Sequence, residues 1–289
     1  TSPLGNLVAV PVVTWLVVPL VLVGMLAALL GLPGAPLCWQ LAGRIWELCW
    51  AVLGAMADLA PVWRLPHAIA PATVPLVLLG LALCLVPLGR ARLWLVPLLC
   101  ASPWLAQPPI PAHGDLRMTV LDVGQGLSVL LQTRRHALLF DAGPVTRGGR
   151  DAGAAIVVPN LWAAGVRRLD RLVLSHPDID HAGGAQAVLQ GVDVARVMVN
   201  AADPWPAPAE YCVDGMAWAW DGVSFEVLHP AAGMAGSDNH MSCVLRVTTA
   251  GGRHFLLTGD IDAAAEAALV ARHPVLAADV LIVPHHGSA

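Results

Sequence analysis

The chain has 289 residues, 57% of them hydrophobic and 12% charged, with 16 basic side chains against 20 acidic ones and a formal net charge of −4. It contains no lysine. This balance excludes a broad basic surface of the kind that binds nucleic acid non-specifically.

Charge divides the chain in two. Residues 1–40 carry none, 65–89 and 93–114 are also uncharged apart from His67 and His113, and only four arginines and two acids precede Asp115. Runs 7–32 and 70–88 each approach the roughly 20 apolar residues that cross a bilayer. Run 93–106 is interrupted by Pro97 and Pro103, so a crossing there is marginal. A signal peptide is a poor alternative, because no basic segment precedes the first run and two more runs follow it. Between the first two runs, Gln40, Arg44, Glu47 and Asp58 fall within about 60° of one another on a helical wheel, while Trp39, Trp46 and Trp50 share another sector. That pattern predicts a helix lying at the membrane surface, with a third, tilted span as the alternative. Arg90 and Arg92 bias their turn towards the cytoplasm. If 93–106 then crosses, the rest of the chain lies outside; Arg64 at the other end of the same span weakens the vote. The expected domains are a membrane region at 1–110 and a soluble one at 111–289.

The soluble half holds 12 arginines and 18 acids, and at roughly 175 residues it can bury a core of its own. Apolar runs predict strands at 117–122 and 127–133 around Val123-Gly124-Gln125-Gly126, then at 137–140, 171–175, 196–200 and 223–228. A hairpin is expected from 243–249 and 254–258, and a last strand at 280–283. Helices are expected near 156–164, 184–190 and 262–273, and a loop at 204–208. Strands that repeatedly deliver Asp or His at their ends describe a layered α/β site-builder.

The richest segment is Ser175-His176-Pro177-Asp178-Ile179-Asp180-His181-Ala182-Gly183-Gly184. Two imidazoles and two carboxylates this close suit a pair of divalent metals, and a strand's carboxyl end is where open α/β sheets keep their chemistry. Turn chemistry explains Asp and Pro in a loop, but it does not require two histidines flanking alternate aspartates. Cys38, Cys49, Cys84 and Cys100 belong to apolar segments. Cys212 and Cys243 would either bridge in an oxidising compartment or stay buried thiols.

His176-Pro177-Asp178-Ile179-Asp180-His181 resembles the HxHxDH signature of the metallo-β-lactamase superfamily, with Asp178 in place of the second histidine. Phe140-Asp141-Ala142-Gly143, Leu257-Thr258-Gly259-Asp260 and Pro284-His285-His286-Gly287-Ser288 resemble further motifs of that fold. Together with Leu121-Asp122-Val123-Gly124-Gln125-Gly126 and the apolar spans, the set is similar to the ComEC family of DNA-uptake channel proteins. The resemblance implies an α-helical transmembrane segment followed by an α/β domain of αββα sandwich type. The chain stops just after His285-His286-Gly287-Ser288, where the fold is expected to need a closing element, so an incomplete domain is expected.

By the same resemblance His176 and Asp178 bind a first metal, Asp180 and His181 a second, Asp260 bridges both, and His285 completes the second. Asp180 and His286 are the expected catalytic residues, His286 by meeting the substrate or a group behind the ligands. Asp141 orients ligands from behind; Asp122 and Gln125 either support the site or serve only their turn. Asp238, Asn239 and His240 each have the chemistry of a further ligand that the superfamily often supplies, and His229 is another contributor to weigh. The cofactors implied are two divalent ions, with manganese favoured over zinc because Asp178 adds a hard oxygen. The function implied is DNA uptake, the spans forming part of a single-strand channel and an outer domain hydrolysing the strand left behind. DNA, the lipid bilayer and other uptake proteins are the expected partners, and the bacterial inner membrane, crossed several times, the expected location. The alternatives are another hydrolase on this fold, acting on a lactam, thioester or signalling nucleotide, or a transport protein whose hydrolase domain is inactive.

Overall fold

The computed structural model describes residues 2–59, 71–86, 89–102, 109–146, 148–200 and 209–287. They fall into two compact units, 1–64 and 65–289.

In the first unit α1 (Ser2–Val12) and α2 (Val18–Leu29) continue as one helix through a π-helical stretch at Val13–Val17. Pro19 has no amide hydrogen for the usual α bond, which opens the ladder at that turn. Gly5–Leu29, 25 residues with a mean hydropathy of 2.6, is the one helix among the described residues long and apolar enough to cross a membrane. α3 (Ala35–Leu59) runs back beside it. Gly24 lets the two approach, for a Cβ there would sit 2.7 Å from the Trp39 indole nitrogen, and Gly5 faces Leu53 near the other end. The helix expected to lie at a membrane surface is therefore packed along the apolar helix.

In the second unit the run 70–88 yields a helix, α4 (Val74–Leu83), of only 10 residues, about 15 Å long at roughly 1.5 Å per residue. The prolines in the run limit it: Pro71 and Pro75 stand at its start, and Pro87 disfavours helix at the residue before it. α5 (Arg92–Cys100) packs against α4 where Gly80 faces Leu99 and Cys100. The rest of the expected third span, 103–106, lies outside the described residues, as does the loop expected at 204–208.

Two sheets follow. The first has the order β1 (Arg117–Val120), β2 (Val129–Gln132), β3 (Ala137–Phe140), β5 (Arg171–Leu174), β7 (Val197–Val199) and β8 (Ala209–Tyr211). The second has the order β13 (Val280–Ile282), β12 (His254–Leu257), β11 (Val244–Thr248), β10 (Val223–His229) and β9 (Ala217–Trp220). A small ladder joins β4 (Arg168–Leu169) to β6 (Asp193–Val194). β1, β2 and β3 pair antiparallel, β3, β5, β7 and β8 pair parallel, and β12 pairs parallel with β13.

The strands of the first sheet are apolar on both faces because both faces are covered. In β3, Leu138 and Phe140 point between the sheets, where they meet Val173, Phe225, Val227 and Leu245. Leu139 points the other way, into a core with Leu172, Leu161 and Val188 beneath α6 (Val158–Ala163) and α8 (Ala185–Gly191). The far face of the second sheet buries Leu228, Val244 and Leu256 against Ala265 and Leu269 of α9 (Ala263–Arg272). This is the expected αββα sandwich, and β3, β5, β12 and β13 all point their carboxyl ends at one edge.

Candidate metal centre

β3 ends at Asp141, which is fully buried and adopts a left-handed backbone with φ of 59°. Its Oδ1 accepts the Ser175 amide at 2.7 Å, and its Oδ2 accepts the Ser175 hydroxyl at 2.8 Å and lies 2.8 Å from His181 Nδ1. A carboxylate only accepts, so His181 Nδ1 carries a hydrogen and Ser175 spends its single proton on Asp141. The Ser175 oxygen then accepts from His176 Nδ1, 3.0 Å away. This chain of donors fixes His176 with a bare Nε2, which is buried and has no hydrogen-bond partner. Burial, then the neighbouring charge on His181, push the His176 pKa down and keep that ring neutral.

β12 delivers Asp260 to the same point. Its Oδ1 lies 3.3 Å from His181 Nε2 and accepts the His285 backbone amide at 3.2 Å, while its own amide donates to the Ser242 hydroxyl at 3.4 Å. Gly259, at φ of 55°, is wedged so tightly that a Cβ would lie 2.7 Å from Ser175 Cβ. Burial opposes a charge on His181, but Asp141 and Asp260 on its two sides outweigh burial and push its pKa up to about 10. In the metal-free chain a proton thus bridges His181 and Asp260 where a cation fits.

His176, His181 and Asp260 place one ligand atom each within 4.8 Å of one another, all three side chains buried. That is close to the roughly 4 Å separating two atoms that share an ion at about 2.0–2.2 Å from each. The buried Nε2 of His176, which has no hydrogen-bond partner and faces the Asp178 carboxylate at 3.5 Å, and the acidic, imidazole-rich lining fit a divalent metal.

Other expected ligands stand nearby but outside this trio. Asp178 is half exposed, its Oδ2 3.5 Å from His176 Nε2. Asp180 lies in the first turn of α7 (Ile179–Ala182) and is partly buried, its carbonyl accepting the Leu127 amide at 3.2 Å. His285 meets Asp260 through its backbone amide at a φ of 55°, and the residue is exposed. The His286 side chain lies outside the described residues. Asp122 and Gln125 are exposed, and Asp122 accepts the Gly124 amide at 3.4 Å, the chemistry of a turn. Gly126 is what binds that turn to the site, for a Cβ there would lie 2.3 Å from the Asp180 carbonyl oxygen.

The histidines considered as further ligands are engaged elsewhere. His240 Nδ1 lies 3.0 Å from Asp262 Oδ1, and Asp262 also caps α9 by accepting the Ala265 amide. Buried His229 has its Nε2 2.7 Å from the His240 carbonyl and its Nδ1 3.0 Å from the Arg272 guanidinium. Asp238 is exposed and Asn239 half-buried, and their carbonyls accept from Asn200 and Ser242. Sequence reasoning missed Ser175 and Ser242, whose hydroxyls hold the ligands. Ser175 had one signal, its place between a buried strand and His176.

Fold and site together define a metal-dependent hydrolase type, and a family model described as the metallo-beta-lactamase superfamily matches residues 121–289. The chain belongs to that superfamily. Its similarity to competence proteins extends further: it is 41% identical over 99% of its length to a protein named Competence protein ComA of Neisseria gonorrhoeae. It is 36% identical over 60% of its length to Recombination protein 2 of Haemophilus influenzae. Over 35% of its length it is 38% identical to a Hydroxyacylglutathione hydrolase of Aeromonas hydrophila. The chain spans 39%, 21% and 36% of those three proteins.

Proposed function

We propose that this chain is part of a bacterial inner-membrane DNA-uptake protein, its membrane region 1–110 contributing to a single-strand channel. The domain at 111–289 is a two-metal nuclease that hydrolyses the strand not imported. One observation carries the reading: a buried His176–His181–Asp260 cluster lies within a sequence similar over 99% of its length to a competence protein. His176, His181 and Asp260 hold the ions, with Asp178, Asp180 and His285 as the remaining donors, and manganese is favoured over zinc because Asp178 puts a hard oxygen where the superfamily has a histidine. When bound, such ions supply positive charge against a phosphodiester's developing negative charge and make water acidic enough to attack at neutral pH.

The chain's own residues prepare that chemistry. Asp141 holds His181 in the tautomer that presents Nε2, and Ser175 does the same for His176. The His285 amide orients the Asp260 carboxylate. His286 is the residue proposed to meet the substrate.

The test is cleavage of single- and double-stranded DNA by the full chain in detergent with manganese or zinc. The expected result is metal-dependent cleavage that falls at least about 100-fold in Asp180→Ala, since removing a metal-holding group costs transition-state stabilisation of several kcal/mol. Unchanged cleavage by a folded Asp180→Ala chain would place the activity elsewhere. The second reading, a thioester hydrolase, is favoured by the match to a hydroxyacylglutathione hydrolase; turnover of such a thioester with no DNA cleavage would select it.

A further inference from the structure

The two sheets are joined covalently beside the site. Cys212 follows β8 of the first sheet, Cys243 immediately precedes β11 of the second, and the two form a buried disulfide across 31 residues of sequence. The Cys212 amide donates to the Val199 carbonyl at 2.8 Å, and the Cys243 amide donates to the Ser175 carbonyl at 2.9 Å. Cys243 thus supplies, from the second sheet, the hydrogen bond that closes β5 where it turns into His176. Its neighbour Ser242 accepts the Asp260 amide, and Gly259 is wedged between Ser242 and Ser175. Cys243 is therefore one bond from Ser175, which supports His176, and one bond from Ser242, which supports Asp260. The opposite end of the sandwich has a different tie. Asp221, in the turn between β9 and β10, accepts the Thr133 hydroxyl and the Arg135 amide, each at 2.8 Å.

We propose that the Cys212–Cys243 disulfide is a redox-dependent clamp on the metal centre, its cysteines acting as positioning residues that hold Asp260 within reach of His176 and His181. The proposal rests on reading that cluster as a metal centre. The clamp forms by thiol–disulfide exchange: as the Cys212–Cys243 bond forms, the bond of an external disulfide breaks, and that oxidant takes both hydrogens and both electrons and leaves as two thiols. Such bonds persist in oxidising compartments and open where thiols are kept reduced, so the clamp is closed on the outer side of a bacterial inner membrane and loose on the inner side.

The test is cobalt(II) titration of the full chain in detergent, followed by visible absorption, for the oxidised chain and for the chain reduced and then freed of reductant under nitrogen. Reduction is expected to weaken cobalt affinity at least about tenfold and to alter the ligand-field bands, both recovering on reoxidation; loss of an outer support typically costs about 10–100-fold in metal affinity. Asp221→Asn, which weakens the tie at the far end by removing the charge that Arg135 and His136 meet, is expected to lower thermal stability while leaving cobalt affinity and bands unchanged. Should reduction unfold the chain, Ser242→Ala in the oxidised chain decides: weakened cobalt binding supports the clamp and unchanged binding overturns it. Equal cobalt binding by folded oxidised and reduced chains, or an Asp221→Asn effect as large as that of reduction, also overturns it. Absence of cobalt binding in both forms overturns the metal-centre reading, and the clamp with it.

Discussion

His181 sits between two carboxylates, Nδ1 against Asp141 and Nε2 against Asp260. Its pKa, ordinarily 6.5, is pushed up to about 10 in the metal-free chain. A raised folded-state value means that the protonated ring adds stability that is fully present below the ordinary pKa and is lost as pH rises through about 10. A metal competes with the same Nε2 proton. Binding therefore releases one proton, and affinity is expected to rise about tenfold per pH unit between about pH 7 and 9. Competitive titration with a chromophoric chelator across that range checks this, and a pH-independent affinity would contradict it. At this scale the trio of His176, His181 and Asp260 was legible because each follows a buried strand, whereas Asp178 and Asp180, singled out by the same spacing, stand outside it. Ser175 and Ser242 were not legible, since a serine beside a ligand has no spacing of its own, and its role appears only when a carboxylate from β3 and an amide from β12 are folded onto it.

Gly126 shows how one element is fitted to another. With φ of 141° and a Cβ position 2.3 Å from the Asp180 carbonyl and 2.9 Å from Pro144 Cδ, it lets the turn after β1 lie against the metal loop. Gly126→Ala is expected to cost about 1–3 kcal/mol from backbone strain, more if Asp180 cannot shift. Thermal unfolding of the two chains compares them directly, and an unchanged midpoint would show that the turn moves freely. The strands that carry the site were readable as Leu- and Val-rich runs, but β8 and β9 were not. Ala209-Glu210-Tyr211 and Ala217-Trp218-Ala219-Trp220 lack β-branched residues, and their strand character comes from pairing with β7 and β10. A signal for β9 was present all the same: Asp221-Gly222, with φ of 49° and 85°, is the two-residue turn that favours a hairpin.

For the molecule as a whole, composition separated an apolar half from an α/β half. It did not reveal how prolines would shorten α4, nor that α3 would lie along the first helix, because both depend on packing partners. The proposed outer placement of the α/β domain can be examined with a Gly148→Cys chain lacking Cys38, Cys49, Cys84 and Cys100. Gly148 is exposed, so a membrane-impermeant thiol reagent is expected to label it in intact cells whose outer envelope is permeable; labelling only after lysis would put the domain inside. The central claim, that His176, His181 and Asp260 form a metal centre, is tested most directly by anomalous diffraction from crystals of the chain grown with manganese or zinc. The account predicts an anomalous peak within about 2.0–2.2 Å of His176 Nε2, His181 Nε2 or the Asp260 carboxylate, with a second peak about 3.5–4 Å away. Well-ordered side chains with no anomalous density between them would contradict it.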